Sequence, residues 1–121
     1  MRRKTFDANP MTVDEAAYDV ELLGHDFYLF TELHTGADSC VRTTPEGVEL
    51  RQIDGGPDYA RGVAAVAVAL GPPPPALTEA EAIERLDLGG ERFVFFQDAD
   101  TGRGAVVYHR YDGHYGVVTL G

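Results

Sequence analysis

The sequence predicts an α+β protein in which two tandem βαβββ units pack sheet to sheet as an intramolecular pseudo-dimer. The chain aligns with itself, without a gap, at an offset of 66 residues, which is the distance from Gly47 to Gly113. Each copy starts a helix with Thr-x-x-Glu and continues into an aromatic strand and a hairpin. A unit of about 45 residues buries too little apolar surface to be stable alone, so the copies should pack on each other.

The self-alignment places identical residues at turns, helix caps and core positions. Chance rarely produces so many identities at such positions together, so we interpret the chain as two copies of one small unit. The predicted repeats are residues 1–54 and 77–121, joined by a connector at 55–76. The identical pairs at these positions include Thr12 and Thr78, Glu15 and Glu81, Ala16 and Ala82, Leu22 and Leu88, Gly24 and Gly90, Phe27 and Phe93, Phe30 and Phe96, Thr35 and Thr101, Gly36 and Gly102, Val41 and Val107, and Gly47 and Gly113.

The helix of the first repeat begins at a capping box, in which the Thr12 hydroxyl accepts from the Glu15 N–H and the Glu15 side chain reaches back. Apolar residues then recur at helical spacing, and Gly24 is a typical helix stop. The next strand, residues 25–32, is apolar on both faces, so both faces should be covered. The other strands of this repeat are predicted at 3–8, 39–43 and 48–53.

The first hairpin turns at Thr44–Gly47, where Pro45 decides the predicted turn type. Proline suits the second position of a type I turn, and we expect Gly47 to be left-handed in a G1 bulge rather than part of a two-residue loop. The offset between the copies predicts the same turn at Arg110–Gly113 in the second hairpin.

The connector begins at Gly55-Gly56-Pro57, which should end the first repeat. Residues 63–70, VAAVAVAL, alternate and predict a strand that serves the second repeat, with an Ala-rich helical turn as the alternative. The proline run at 72–75 favours a stiff polyproline II spacer over a site for a proline-binding partner.

The second repeat follows the same order of elements. A capping box at Thr78 and Glu81 begins its helix, and Gly89-Gly90 ends it. An aromatic strand is predicted at 91–98, and hairpin strands are predicted at 105–110 and 114–120.

The composition excludes several classes of function. A formal net charge of −10 and a pI near 4.6 disfavour electrostatic capture of nucleic acid, so we expect no sequence-specific DNA binding. The Arg2-Arg3-Lys4 run is typical of a solvated terminus, with RNA contact as the alternative. Cys40 is the single cysteine and allows no intrachain disulfide. No segment predicts a membrane span or a signal peptide, so we expect a soluble cytoplasmic protein without membrane partners.

No arrangement of residues predicts catalysis. Asp98 and Asp100 lie at a turn, where carboxylates typically form Asx turns. The histidines have no Cys or His partners at the spacing of zinc ligands. We therefore expect no enzyme activity, no cofactor and no metal.

The last hairpin is the most unusual surface candidate, because aromatic and basic residues are concentrated there. Such groups can stack on bases or anchor a protein interface, and cross-strand packing within the hairpin is the alternative. The first repeat lacks this set of residues, which favours one specialised binding face. The predicted partner-binding residues are Arg110, Tyr111, His114 and Tyr115.

Two segments resemble the C-terminal domain of long-form ribosome hibernation-promoting factors, in the sigma-54 modulation protein family. They are PMTVDEAAYDVELLGHDFYLF at Pro10–Phe30 and TGRGAVVYHRYDGHYGVV at Thr101–Val118. The first copy matches the front half of the family pattern, and the second copy matches the back half. Together the copies cover nearly the whole chain except the connector.

The resemblance implies a role in ribosome hibernation under stress. In the family, an N-terminal domain binds the small ribosomal subunit, and the C-terminal domain self-associates and so joins two ribosomes. This sequence carries no counterpart of that N-terminal domain and carries the C-terminal one twice. We expect it to contact the ribosome, as the small subunit or the 70S particle, or another copy of itself as a homodimer. A pure oligomerisation module without ribosome contact is the alternative.

Duplication changes how the apolar sheet face is covered. In a single-copy relative this face is buried against another chain, whereas here the two copies can bury their faces against each other. The residues predicted at this inter-repeat or dimer interface are Phe27, Leu29, Phe30, Phe93, Phe95 and Phe96.

Overall fold

The computed structural model describes residues 2–54 and 56–121, and these residues form two sheets and three helices. The elements are β1 (Arg2–Phe6), α1 (Val13–Leu22), β2 (Tyr28–Thr31), β3 (Asp38–Thr44), β4 (Gly47–Gln52), α2 (Pro57–Val63), β5 (Val68–Leu70), β6 (Ala76–Leu77), α3 (Glu79–Gly89), β7 (Phe93–Asp98), β8 (Gly104–His109) and β9 (Tyr115–Leu120). One sheet has the order β1-β9-β8-β7-β6, and the other has the order β2-β3-β4-β5. The predicted α+β class with two βαβββ units is confirmed.

The two repeats exchange their first strands. β1 belongs to the first repeat but pairs in parallel with β9 of the second, where Arg2 lies opposite Gly116. β5 is the counterpart of β1, and it pairs in parallel with β4 of the first repeat, where Val68 lies opposite Val48. The prediction that the connector strand serves the second repeat is therefore wrong. Since β1 occupies the outer edge of β9, β5 completes the other sheet instead.

The connector contains a helix, α2, that the sequence pattern did not predict. Proline is tolerated in its first turn, because the N–H groups there have no partner within the helix. Asp14 of α1 holds the turn that follows, since both of its carboxylate oxygens accept from the Ala65 N–H at 2.9 and 3.0 Å. The strand predicted at 63–70 is accordingly shortened to β5. Of the predicted break at Gly55-Gly56-Pro57, Gly55 lies outside the described residues, and Gly56 and Pro57 begin α2.

Both predicted capping boxes are present. The Glu15 N–H donates to Thr12 Oγ1 at 3.1 Å, and the Thr12 N–H donates to Glu15 Oε1 at 3.0 Å. The corresponding distances for Thr78 and Glu81 are 3.2 and 2.9 Å. Small residues then let each helix approach its sheet closely. The buried helix residues are Val13, Ala16, Ala17 and Val20 in α1 and Ala82 and Leu86 in α3.

Strand alternation divides the apolar side chains among three layers. One layer lies between α1 and the four-stranded sheet, a second lies between α3 and the five-stranded sheet, and the third lies between the two sheets. The sheets therefore pack face to face within one chain, as predicted for a pseudo-dimer. The buried members of the intersheet layer are Phe27, Leu29, Cys40, Phe95, Val106, Val118 and Leu120.

Phe30 and Phe96 lie outside the intersheet layer, and their prediction as interface residues is corrected. Successive strand residues point to opposite faces, so Leu29 and Phe95 face the other sheet while Phe30 and Phe96 face the helices. Phe93 is partly buried and packs against the intersheet layer. Both aromatic strands are thus covered on both faces.

The two hairpins turn differently, although the offset predicts the same turn. In the second, the Gly113 N–H donates to Arg110 O at 3.3 Å, the Arg110 N–H donates to His114 O at 2.8 Å, and Gly113 has a φ of 82°. This is the predicted turn with its left-handed glycine. In the first hairpin, Thr44 pairs directly with Gly47, so residues 45 and 46 form a two-residue loop. The prediction that Pro45 rules out a two-residue loop is therefore wrong. Proline is accommodated because it lies inside that loop, outside the ladder.

The different turns shift one hairpin by one residue, which reverses the faces of its last strand. In β4, Leu50 faces α1, so Arg51 points to the intersheet side, where its guanidinium lies 5.7 Å from the centre of the Phe95 ring. In β9, by contrast, Val118 and Leu120 occupy the intersheet layer. The last strands of the two repeats therefore turn different side chains toward the intersheet layer: Arg51 in β4, but Val118 and Leu120 in β9.

A pseudo-two-fold axis runs through the intersheet contact. A residue that touches its own counterpart lies on such an axis, and contacts between residues 66 positions apart identify it. The ring centres of Phe27 and Phe93 are 5.0 Å apart. The Gly104 N–H donates to its counterpart Asp38 at 2.9 Å.

None of the helices among the described residues is both long enough and apolar enough to span a membrane.

The Cys40 thiol should be unreactive in the folded protein. It lies in the intersheet layer with 3% of its surface exposed, and burial raises its pKa to about 12. Since the thiolate is the reactive form, a thiol reagent at neutral pH should label Cys40 only after unfolding in denaturant. Mass spectrometry of the labelled chain measures this. Rapid labelling without denaturant would mean that the sheets separate and that the intersheet layer is not a stable core.

Candidate partner-binding surface

Two grooves flank the pseudo-two-fold axis, and each is the counterpart of the other. The first has a volume of about 510 Å³ and is lined by residues 90–93 together with Arg42. The second has a volume of about 720 Å³ and is lined by the equivalent residues 24–27 together with Tyr108, the counterpart of Arg42. We call them the ion-paired groove and the aromatic groove. Because their chemistry differs, the aromatic groove is a surface that the other repeat does not reproduce.

The cations of the ion-paired groove are engaged within the chain. Arg42 donates from Nε to Glu49 Oε1 at 3.0 Å and from Nη2 to Glu49 Oε2 at 3.3 Å. This hydrogen bonding with Glu49 raises the pKa of Arg42 above its ordinary value. Arg51 donates from Nε to Pro72 O at 2.8 Å. A groove with its charges paired in this way offers little electrostatic attraction to a partner.

The aromatic groove, in contrast, has cations that the chain does not pair. β1 contributes Arg2 and Lys4, which are exposed and form no ion pair with any residue in 2–54 or 56–121. Asp26 in the same groove is engaged by Arg92, with Nη1 and Oδ1 3.3 Å apart. Glu91 is exposed there as well. The aromatic groove therefore combines two cations without an ion pair, Arg2 and Lys4, with the aromatic rings of Tyr108 and Tyr111.

The predicted partner-binding residues divide into two groups at the tip of the last hairpin. Arg110 and Tyr111 line the aromatic groove, and the Tyr111 side chain is fully exposed. His114 is exposed, and its N–H donates to Asp112 Oδ1 at 3.1 Å, which holds the turn. That hydrogen bond lowers the pKa of Asp112 below its usual value. The structure thus brings Arg110 and Tyr111 together with the groove, while His114 lies outside its lining.

Tyr115 fastens the hairpin to α3. Its hydroxyl donates to Asp87, at 2.7 Å from Oδ1 and 2.9 Å from Oδ2, and its ring centre lies 5.7 Å from that of His109. Asp87 sits in the last turn of α3, where the helix dipole disfavours an acidic side chain. The hydrogen bond from Tyr115 offsets this disadvantage. Cross-strand packing, the alternative reading of the hairpin residues, therefore applies to Tyr115.

Sequence reasoning missed the partners that lie far apart in the chain. Asp87 and the cations of β1 join the aromatic groove only through the helix-to-hairpin contact and the strand exchange, which no local pattern reveals. The opposite charges of Asp26 and Arg92 were visible in the self-alignment as a mismatched pair. No group of three or more His, Cys, Asp or Glu side chains in the described part of the chain is placed to hold a metal.

The fold is a duplicated α+β module with two grooves of different chemistry. A family model described as Sigma 54 modulation/S30EA ribosomal protein C terminus matches residues 1–45 and again residues 73–117. The chain therefore belongs to this family and carries its C-terminal domain twice, which confirms the resemblance noted above.

Relatives in Mycobacterium tuberculosis extend the similarity. The chain is 36% identical over 126 residues to a dormancy associated translation inhibitor of strain CDC 1551 / Oshkosh, an alignment that covers 98% of this chain and 46% of that protein. The protein of the same name in strain ATCC 25618 / H37Rv is similar to the same extent. A ribosome hibernation promotion factor of the H37Rv strain is 49% identical over 41 residues, 34% of this chain and 19% of that protein. The chain spans about half the length of the dormancy associated relatives.

The hydrogen bond to Asp87 raises the pKa of the Tyr115 phenol above its ordinary value. Because the folded state favours the neutral phenol, this contact stabilises the fold below the pKa of an unfolded tyrosine, about 10, and is lost as the pH rises through the folded value. We expect Asp87→Asn to move the titration of Tyr115 to lower pH.

A pH titration of ¹³C-labelled tyrosine by NMR resolves Tyr115 from the other tyrosines and measures this change. Tyr115→Phe, which keeps the ring, serves to assign the resonance. A titration of Tyr115 that is the same in the Asp87→Asn variant and the parent chain would show that the hairpin is not fastened to α3 in this way.

Proposed function

We propose that this chain is the C-terminal module of a ribosome hibernation factor, and that it acts in the cytoplasm without catalysis by binding the ribosome. Membership of the family and the names of the relatives support the hibernation role. The binding face in this proposal is the aromatic groove with the adjoining hairpin tip. The observation that carries the proposal is that this groove, unlike its counterpart, combines unpaired cations with exposed aromatic rings.

The charge of the aromatic groove supports a partner rich in phosphate. Four arginine and lysine side chains line it against three carboxylates, although the chain as a whole has a net charge of −10. A local cationic surface in an acidic protein orients the molecule, because the rest of the surface is repelled by an RNA-rich particle. Tyr111 adds an exposed ring on which an unpaired base or a flat protein side chain can stack. The groove therefore suits a ribosomal surface better than an acidic protein partner.

Oligomerisation without ribosome contact is the competing function. In this chain the intersheet face is buried between its own two repeats, so a second copy would have to bind elsewhere. Sedimentation with purified ribosomes separates the two functions, because a pure oligomeriser stays in the supernatant. The proposal expects the chain to pellet with ribosomes and to be released as the salt concentration rises.

Replacing Arg110 and Tyr111 together with alanine should weaken ribosome binding about tenfold, which corresponds to about 1.4 kcal/mol. Tyr111 is fully exposed, and the Arg110 side chain makes one ion pair within the turn, with Asp112 at 3.5 Å. A surface ion pair contributes little to stability and the strand pairing uses the backbone, so the fold should be retained. The measurement is the pelleted fraction of the chain as a function of ribosome concentration. Tyr18→Ala is the matched control, because Tyr18 is 65% exposed and lies on α1 outside both grooves.

Binding by the Arg110→Ala, Tyr111→Ala variant that equals binding by the parent chain would remove the hairpin tip from the contact. An equal loss in the Tyr18→Ala control would also contradict the assignment, because the effect would not be specific to the tip. A parent chain that stays in the supernatant at low salt would refute ribosome binding itself and favour the oligomerisation module.

A further inference from the structure

We propose that the contacts on the pseudo-two-fold axis make pairing of the repeats heterotypic, so that the first repeat accepts the second repeat and rejects another copy of itself. The positions that carry this specificity on the axis are charged: Asp26 and Asp38 in the first repeat, and Arg92 and Arg103 in the second. The chain then closes on itself, and its intersheet face is withheld from other molecules. This inference concerns the pairing of repeats and does not depend on the proposed ribosome contact.

The central contact is built around Asp38, whose side chain is 9% exposed. Arg103 binds it through two hydrogen bonds, from Nε to Oδ2 at 2.7 Å and from Nη2 to Oδ1 at 3.1 Å. The Gly104 N–H adds a third, to Oδ2 at 2.9 Å. The carboxylate in turn raises the pKa of Arg103. A carboxylate buried to this degree requires such donors, because an uncompensated buried charge is strongly unfavourable.

The position equivalent to Asp38 in the second repeat is Gly104, and its missing side chain provides the space that Asp38 occupies. A Cβ at residue 104 would lie 3.0 Å from Asp38 Cβ and 3.2 Å from Phe95 Cε1. One repeat therefore supplies a carboxylate, and the other supplies a space with an N–H donor and a guanidinium beside it. The two surfaces fit each other and do not fit themselves.

A second pair of counterparts on the axis, at the protein surface, also joins unlike residues. Asp26 and Arg92 are counterparts, and they form an ion pair with each other. In a pair of identical repeats, symmetry would place the same residue on both sides of this point. Opposite charges at equivalent positions are therefore favourable only when different repeats meet.

Pairing two first repeats would place Asp38 against Asp38 and Asp26 against Asp26. The guanidinium of Arg103 would be absent, because its counterpart is Ala37. Two buried carboxylates facing each other without a cation cannot both stay ionised at low cost. This combination is excluded by repulsion and by the loss of donors.

Pairing two second repeats would place Arg92 against Arg92 and leave an unfilled space where Gly104 meets Gly104. The guanidinium of Arg103 would also lose its carboxylate. The apolar contact on the axis does not distinguish these cases, because Phe27 and Phe93 are identical residues. On the axis, discrimination between partners therefore rests on the charged positions, as it does in interfaces that reject wrong partners by like charge.

The test uses two full-length variants in which both repeats carry the same axis residues. The first variant has first-repeat residues on both sides, through Arg92→Asp, Arg103→Ala and Gly104→Asp. The second has second-repeat residues on both sides, through Asp26→Arg, Ala37→Arg and Asp38→Gly. Each should lose at least about 5 °C in Tm when alone, and the two should form a one-to-one complex when mixed. Arg85→Asp, an exposed charge reversal on α3, is the control and should keep the Tm and mass of the parent chain.

Light scattering and native mass spectrometry read the result, and the parent chain should remain at 13.1 kDa in the same experiment. A parent chain that exchanges with a tagged copy of itself through dimers would overturn the proposal. Variants that keep the parent Tm and mass, and form no complex when mixed, would overturn it as well.

If the triple variants do not fold, variants with one or two charge substitutions test the same proposal. Asp26→Arg alone and Arg92→Asp alone place like charges on the exposed part of the axis, and the double variant exchanges the charges. The single variants should have a lower Tm at low salt, and the double variant should recover the parent value. Effects of the two substitutions that simply add, without recovery, would show that the axis charges do not select the partner.

Discussion

Leu29 of one sheet and Phe95 of the other both lie in the apolar layer between the two sheets, and each sheet would expose its share of that layer to water without the other. Burying one large apolar side chain contributes about 1.5–3 kcal/mol, and a repeat of this size has few such side chains to bury. The exchange of β1 and β5 adds a second dependence, because each sheet is completed by a strand from the other repeat. The fold is therefore one cooperative body made from two units that are each too small.

Joining the two units in one chain allows equivalent positions to diverge. In a pair of identical units, every contact residue appears twice and must be compatible with itself. Here Arg42 of the ion-paired groove has become Tyr108 in the aromatic groove, and the bulge at Gly113 turns a different set of side chains toward the other sheet. The same freedom permits Asp38 to be matched by Gly104 on the axis. Duplication thus yields both a closed interface and one specialised face.

Local patterns predicted the elements well, because helix caps and strand alternation are encoded by neighbours in the chain. The capping boxes and the two-sided aromatic strands follow from such patterns. The exchange of strands could not be predicted, since β1 and β5 are equivalent and either last strand offers them the same kind of edge. Phe30 and Phe96 were misplaced because an apolar run does not reveal which residue faces which layer. The aromatic groove needed the tertiary structure, as it draws on β1, α3 and the last hairpin together.

Isotope-filtered NMR on a mixture of ¹³C-labelled and unlabelled chains tests most directly whether the intersheet layer forms within one molecule. In the uniformly labelled protein we expect nuclear Overhauser effects between the rings of Phe27 and Tyr108, which belong to different repeats and have their centres 5.8 Å apart. We expect none between labelled and unlabelled chains in the mixture. Overhauser effects across chains would contradict the account, because the apolar layer would then be shared between two molecules.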